Sequence, residues 1–76
     1  MKKIEVFGTG CPKCKKTIKN IEQVINENGF DAEIKKVEDI KKITERGIFI
    51  TPAVAVDGEI KIKGRIAREK DIIEWF

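Results

Sequence analysis

Cys11 and Cys14 are the only cysteines in the 76-residue chain, and they flank Pro12 and Lys13 in the segment GTGCPKC (8–14). Two thiols at this spacing can form a structural disulfide, supply half of a metal site, or act as a redox pair that opens and closes. A structural disulfide here would close a loop of only about four residues, and the stabilisation from a cross-link grows with loop length. The spacing therefore favours redox chemistry or metal binding over a structural role.

Length and N-terminal pattern indicate where these thiols act. The chain is long enough for one domain, which we expect to span 1–76. The opening segment MKKIEVFGTG alternates apolar and polar side chains, unlike a signal peptide, and no apolar run reaches membrane-spanning length. We therefore expect a cytoplasmic protein with no membrane contact. In that compartment, close cysteine pairs are more often catalytic or metal-binding than structural.

Charge and aromatic content argue against nucleic-acid binding. The 16 Lys and Arg residues against 13 Asp and Glu residues give a mild positive balance. The lysines are spread along the chain as KK and KxK pairs among glutamates, as on a solvated surface. The few aromatic residues do not interleave with basic ones, so no base-stacking platform is visible. The chain has no histidine and no tyrosine, so any acid–base chemistry must use carboxylates, lysines or the thiols.

Hydrophobic periodicity predicts a strand and a helix that position the cysteines. KKIEVF (2–7) predicts a buried first strand that ends at a glycine. Pro12 to Asn28 predicts a helix with proline in its first turn and Asn28-Gly29 at its end. The apolar stripe of this helix consists of Cys14, Ile18, Ile21 and Ile25, with Val24 beside it.

The remaining segments predict two more strands and two more helices around a turn. FDAEIKKV (30–37) carries lysines as an edge strand would, and EDIKKITER (38–46) predicts a short helix. Residues 48–64 contain two apolar runs around Asp57-Gly58, a strong hairpin signal. Residues 67–76 predict a last helix. Its expected core-facing residues are Ile72, Ile73, Trp75 and Phe76.

The order of these elements, β-α-β-α-β-β-α, indicates the fold class. The first two strands are joined through a helix, so they should be parallel with a right-handed crossover. The last two strands form an antiparallel hairpin. We expect an α/β fold with a four-stranded mixed sheet and helices on both faces.

The predicted helix gives the two cysteines different surroundings. Cys11 lies at the helix start and should be exposed, whereas Cys14 lies on the apolar stripe and should be buried. The free N–H groups and the macrodipole at the helix N-terminus, together with the nearby Lys13 and Lys15, should lower the pKa of Cys11. Thiolate is the attacking species in disulfide exchange. Cys11 can therefore attack a substrate disulfide, and Cys14 can then attack Cys11 and release the reduced substrate.

This arrangement resembles the thioredoxin/glutaredoxin superfamily: a strand, a loop with CPKC at the start of a helix, Thr51-Pro52 before a hairpin, and a closing helix. The size, together with GTGCPKC and TPAVAVDGEIKIKGRI, resembles the small archaeal-type thioredoxins in particular. The resemblance implies a minimal thioredoxin-like fold and an oxidoreductase that reduces protein disulfides. It makes Cys11 the nucleophile and Cys14 the resolving thiol, with their reversible disulfide in place of any cofactor.

The resemblance also implies which residues face the substrate. Thr51 and Pro52 match the turn that contains a cis-proline, and Gly64 matches a glycine that lets the terminal helix approach the site. The implied substrate-binding residues are Gly10, Pro12, Lys13, Thr51, Pro52 and Gly64.

The match to the family also bears on the electron donor and on a proton acceptor. Gly64-Arg65 only partly resembles the Gly-Gly turn with which glutaredoxins bind glutathione. We therefore expect a thioredoxin-reductase-like donor in preference to glutathione, and a monomer.

Glu5 lies six residues before Cys11, where typical thioredoxins carry a buried aspartate. The resemblance suggests a general base for Cys14, while the ordinary alternative is a solvent-facing or edge glutamate.

Metal binding is the main alternative function. Copper-chaperone-like domains also open a helix with a cysteine pair, but their hairpin directly follows the first helix and they end in a strand. A zinc site normally needs four ligands, whereas this chain offers two thiols and no histidine. A dimer that shares four cysteines would still supply such a site.

Overall fold

The computed structural model describes residues 2–76, and within them the chain forms seven elements in the predicted order. They are β1 (Lys2–Phe7), α1 (Pro12–Asn28), β2 (Ala32–Val37), α2 (Ile40–Glu45), β3 (Ala53–Val56), β4 (Glu59–Lys63) and α3 (Glu69–Ile73). The strands form one sheet in the order β2-β1-β3-β4, with β1 parallel to β2 and the other pairs antiparallel. The predicted α/β fold with a four-stranded mixed sheet is confirmed, and β2 is an edge strand as expected.

The sheet separates two apolar clusters because successive side chains of a strand point to opposite faces. Ile4 and Val6 of β1 pack with Ile21 of α1 and Ile72 of α3 on one face. Phe7 points the other way and packs with residues around α2, among them Val37, Ile43 and Ile48. Helices therefore cover both faces, as predicted. None of the helices formed by residues 2–76 is long and apolar enough to span a membrane.

The buried face of α1 differs slightly from the predicted stripe. Cys14 and Ile21 are buried as expected, but Ile18 and Ile25 are only half-buried, and Thr17 is fully buried in their place. The Thr17 hydroxyl accepts a hydrogen bond from the backbone N–H of Ala67 at 3.4 Å. Thr17 is buried because the chain between β4 and α3 lies against it, and helical periodicity alone cannot reveal that contact.

The apolar run that opens the hairpin is longer than the strand it contains. The hairpin turns at Asp57-Gly58 as predicted, both with positive φ, and its first strand begins at Ala53. Antiparallel pairing ends where Phe7 of β1 meets Ala53, so residues 48–52 have no partner strand on that side.

The last helix is shorter than predicted, covering Glu69–Ile73 instead of residues 67–76. Ile72 and Trp75 are buried as expected, but Ile73 is 42% exposed and is not a core residue. Phe76 is half-buried and stacks on Phe30, with 4.3 Å between the ring centroids.

Candidate functional site

The two cysteines lie where three segments meet: the loop after β1, the first turn of α1, and the segment that enters β3. The pairing of Phe7 with Ala53 brings Gly8, which follows β1, alongside Pro52, which precedes β3. The first turn of α1 packs on this junction. The fold therefore joins the two parts of the sequence that the resemblance singled out, although about 40 residues separate them.

Cys11 is the N-cap residue of α1 and is partly exposed. Its sulfur accepts a hydrogen bond from the backbone N–H of Cys14 at 3.3 Å, and its carbonyl accepts from the N–H of Lys15 at 3.0 Å. Pro12 has no N–H to leave unpaired at the first helical position, which suits it to that position. The sulfur therefore occupies the place in which a serine or aspartate side chain usually caps a helix.

The pKa of Cys11 lies below its ordinary value of 9.0, mainly because the Cys14 thiol and then the Cys14 backbone N–H donate to the sulfur. The backbone N–H of Lys13 contributes further. The ammonium groups of Lys13 and Lys15, expected from the sequence to help, are not among the causes, and both side chains are exposed. The Cys14 thiol and the backbone N–H groups of the helix start, and not lysine charge, therefore favour the Cys11 thiolate.

Cys14 has the opposite character. Its side chain is 2% exposed, and burial is the main reason that its pKa lies above 9.0. The hydrogen bond and the negative charge shared with Cys11 raise the pKa further, while the Thr51 side chain lowers it slightly. Both cysteines are free thiols in this structure. The predicted contrast between an exposed, activated Cys11 and a buried Cys14 is borne out by these surroundings.

Gly8 is a site residue that the sequence reasoning missed. It is buried, and a Cβ built on it would overlap the sulfur of Cys14 and lie 3.0 Å from the Cys14 Cβ. Gly8 thus gives Cys14 the room to approach the end of β1. Gly10 serves a different purpose, because its φ is +84° and no atom lies within 4 Å of the position of a Cβ. The only sequence signal for Gly8 is its position directly after β1. The close approach of α1 to this glycine becomes visible only in the folded structure.

The Thr51–Pro52 peptide bond is cis, as the resemblance implied, and Pro52 is buried. The N–H of Gly64 donates to the Pro52 carbonyl at 2.8 Å and so attaches the end of β4 to this turn. Gly64 has φ +71°, and a Cβ on it would lie 2.6 Å from Cγ2 of Ile50. The residue that packs closely against Gly64 is therefore Ile50. The expected close approach of the terminal helix to this glycine is not seen.

An exposed apolar surface precedes the cis-proline turn. Phe49 is 82% exposed and Ile50 66% exposed, and both precede β3. Phe49 lines a groove of about 210 Å³ together with Thr9 and Thr51. Large apolar side chains exposed next to each other are typical of a contact surface for another molecule.

The remaining substrate-binding candidates surround Cys11. Gly10, Pro12 and Lys13 are exposed at the helix start, while Thr51 and Pro52 lie across the junction next to Gly8 and Cys14. Gly64 lies behind them, against Ile50.

Glu5 lies on the side of the sheet away from α1. Its neighbours in β1, Ile4 and Val6, pack against α1, so its own side chain points to the α2 face, where it pairs with Arg46 at 3.4 Å. The Arg46 guanidinium also lies 5.2 Å from the centre of the Phe7 ring. This placement matches the ordinary alternative, a partly exposed glutamate in a surface ion pair. Among residues 2–76 no group of three or more His, Cys, Asp or Glu side chains is arranged to hold a metal ion.

A sulfur that favours thiolate and a buried sulfur that favours thiol, one helical turn apart, define a dithiol redox centre on a thioredoxin-like fold. Comparison with known proteins agrees. The thioredoxin domain family matches residues 2–76. A thioredoxin from Methanothermobacter thermautotrophicus is 43% identical over 72 residues, which cover 95% of this chain and 94% of that protein. A thioredoxin from Methanocaldococcus jannaschii is 46% identical over 71 residues, covering 93% of this chain and 81% of that protein.

The chain therefore belongs to the thioredoxin family, as the resemblance implied. It is a thiol–disulfide oxidoreductase, and Cys11 and Cys14 form its CxxC motif. The alternative of a metal-binding protein is not supported by the family.

Proposed function

We propose that the protein reduces disulfide bonds in other proteins, with Cys11 as the attacking thiolate and Cys14 as the resolving thiol. The observation that carries this proposal is the opposite environment of the two sulfurs, with Cys11 Sγ 3.3 Å from the N–H of Cys14 at the helix start and Cys14 buried behind it. Only one of them is both reactive and accessible.

The reaction proceeds in two exchanges. The Cys11 thiolate attacks one sulfur of the substrate disulfide, forming a Cys11–substrate bond and releasing the other substrate sulfur as a thiolate. The Cys14 thiolate then attacks Cys11 Sγ, forming the Cys11–Cys14 disulfide and releasing the second substrate thiolate. The substrate gains two electrons and two protons, and the protein dithiol loses them. We propose that no bound cofactor takes part, because the electrons reside in the two sulfurs.

We propose that the substrate is a protein segment lying over the cis-proline turn. Thr51 and Pro52 adjoin the cysteine junction, and the exposed side chains of Phe49 and Ile50 precede them. Gly10, Pro12 and Lys13 border the other side of Cys11 and leave it accessible. Gly64 supports the turn through its hydrogen bond to Pro52.

We further propose that a flavin-dependent, thioredoxin-reductase-like enzyme regenerates the dithiol in the cytoplasm, where the protein acts as a monomer. The single Gly64 followed by Arg65 supports this donor over glutathione, because a glutathione-binding Gly-Gly turn is incomplete here.

The test is reduction of insulin disulfides, first with dithiothreitol as the electron source. Catalysis above the rate with dithiothreitol alone supports the activity, and the Cys11→Ser variant is the matched inactive control. The donor is then tested by replacing dithiothreitol with NADPH and a thioredoxin reductase, or with glutathione and glutathione reductase. Turnover with the glutathione system alone would contradict the proposed donor, and no catalysis with any donor would contradict the function.

A further inference from the structure

The second exchange has a requirement that the cysteines alone do not meet. Cys14 must lose its proton to attack Cys11, yet it is 2% exposed and its burial disfavours the thiolate. The chain has no histidine, and the Glu5 carboxylate is paired with Arg46 on the far side of the sheet. A proton acceptor on the same side as Cys14 would remove this obstacle.

A cavity of about 170 Å³ opens against Cys14 and offers such an acceptor. Its apolar wall comes from residues of β1 and α1, and its titratable groups other than Cys14 are Lys15, Lys36 and Glu38. Lys36 is paired with Val6 in the parallel ladder, so both point to the α1 face, and Glu38 follows directly after β2. The cavity is large enough for several water molecules and has polar groups to hold them.

Of the three groups, only Glu38 has acceptor oxygens. A carboxylate accepts hydrogen bonds and protons, whereas a lysine ammonium has three donors and no acceptor. Glu38 is exposed, so a proton that it receives can pass on to bulk water. Glu38 also borders a second groove, which lies between β2 and α2. The other charged residues that line this groove with Glu38 are Asp39, Lys42, Glu45 and Arg46, together with Glu5 and Lys35 of the sheet.

We propose that Glu38 is the proton relay of the resolving cysteine, acting through water in the cavity beside Cys14. This inference rests on the proposed two-step function. The proton leaves Cys14 Sγ through water to the Glu38 carboxylate as the sulfur attacks Cys11, the bond from Cys11 to the substrate breaks, and the substrate sulfur departs as a thiolate. Glu38 then returns the proton to solvent, where the thiolate takes up a proton. No further oxidant or reductant is needed.

The test separates the two exchanges in time. Reduced protein is mixed in a stopped-flow instrument with 5,5′-dithiobis(2-nitrobenzoate), whose coloured thiolate is released once by Cys11 and again when Cys14 resolves the mixed disulfide. The first release depends on reagent concentration, and the second does not. The first therefore reports the proposed function, and the second reports the relay.

For Glu38→Gln we expect the second release to slow at neutral pH while the first is unchanged. The expected slowing is about tenfold, less than the roughly hundredfold or larger effects typical of acid–base groups, because water can still take the proton directly. The difference should vanish above the pKa of Cys14, where hydroxide forms the thiolate without help. Glu38→Asp should recover part of the rate. Glu33→Gln, in β2 but on the opposite face of the sheet, is the matched control and should behave as the parent.

The proposal is overturned if Glu38→Gln resolves the mixed disulfide at the parent rate, or if it is slowed equally at every pH, as a structural defect would be. Loss of the second release in Glu5→Gln with a normal rate in Glu38→Gln would assign the relay to Glu5. A parent protein that gives no fast first release would instead contradict the proposed function and the role of Cys11.

Discussion

The first turn of α1 lies between two regions, and each region holds one cysteine in an environment opposite to that of the other. The tip, residues 10–13, is open to solvent, and its Cys11 sulfur accepts a backbone N–H as a helix cap. The wall, formed by Gly8, Cys14 and Thr51, encloses the second sulfur against the end of the sheet. The pKa of Cys11 is lowered and the pKa of Cys14 is raised. Two cysteines one helical turn apart thus have opposite pKa shifts.

The contrast between the two regions depends on two positions, Gly8 and Gly10, that require glycine for different reasons. Gly10 at the tip allows a backbone conformation with φ +84°, and space around it is open. Gly8 in the wall has no unusual φ, but its missing side chain is the space that Cys14 occupies. One glycine shapes the path of the chain, and the other sets how closely the helix and sheet approach. A substitution at either glycine therefore changes one of the two regions directly.

The largest effect should come from removing each sulfur in turn. We expect Cys11→Ser to abolish disulfide reduction, because no accessible thiolate remains. We expect Cys14→Ser to attack substrate and then stall as a stable mixed disulfide, because the resolving thiol is missing. Mass spectrometry of the two variants after incubation with oxidised insulin distinguishes these outcomes. A covalent adduct on Cys11→Ser, or normal turnover by Cys14→Ser, would show that the roles of tip and wall are reversed.

The next effect should come from the two glycines. We expect Gly8→Ala to lower the free energy of unfolding by about 1–3 kcal/mol, the usual cost of overpacking a filled interior, because the added methyl meets both Sγ and Cβ of Cys14. It should also slow resolution by Cys14 more than attack by Cys11. Gly10→Ala meets no atom and should cost about 1–2 kcal/mol through its left-handed backbone alone.

Urea denaturation measures both costs, and the two phases of thiol release show which cysteine is disturbed. If Gly8→Ala leaves stability and resolution at parent values, the close packing of wall and helix described above is incorrect.

The sequence predicted the surroundings of the two cysteines better than it predicted the long-range contacts around them. A proline after a cysteine at the start of a periodic helix is a local signal, and it correctly indicated the exposure and activation of Cys11. Gly8 and Thr17 were missed because their burial depends on segments about 40 to 50 residues away, namely Thr51 and Ala67. Phe49 and Ile50 belong to the apolar run before Asp57, but they lie outside β3 because no neighbouring strand extends far enough to pair with them.

A smaller effect is expected on the pKa of Cys11, which depends on the Cys14 thiol. The Cys14 thiol is the largest single cause of the lowered pKa of Cys11, so the wall helps to activate the tip. We expect the pKa of Cys11 to rise in Cys14→Ala and to stay closer to the parent value in Cys14→Ser, whose hydroxyl can still donate. The pH dependence of iodoacetamide labelling measures it in both variants. Equal pKa values in the two variants would leave the backbone N–H groups as the main cause.

The smallest effect should be a change in the pH dependence of stability of the reduced protein. The folded pKa of Cys11 lies below 9.0, so between that pKa and 9.0 the unfolded chain binds more protons and stability rises with pH. The folded pKa of Cys14 lies above 9.0, so from 9.0 to that pKa the unfolded chain binds fewer protons and stability falls with pH. Urea denaturation under reducing conditions at a series of pH values measures both slopes.

The two slopes can be assigned to the two regions by variants. The double variant Cys11→Ser/Cys14→Ser gives the background from lysines and other groups, and it is subtracted from each curve. After subtraction, Cys11→Ser should lose the rise below 9.0 and keep the fall above it, because burial still disfavours the Cys14 thiolate. Cys14→Ser should keep the rise and lose the fall. If both single variants lose the same part of the curve, the tip and the wall titrate as one unit and the separation between them is not a property of the folded protein.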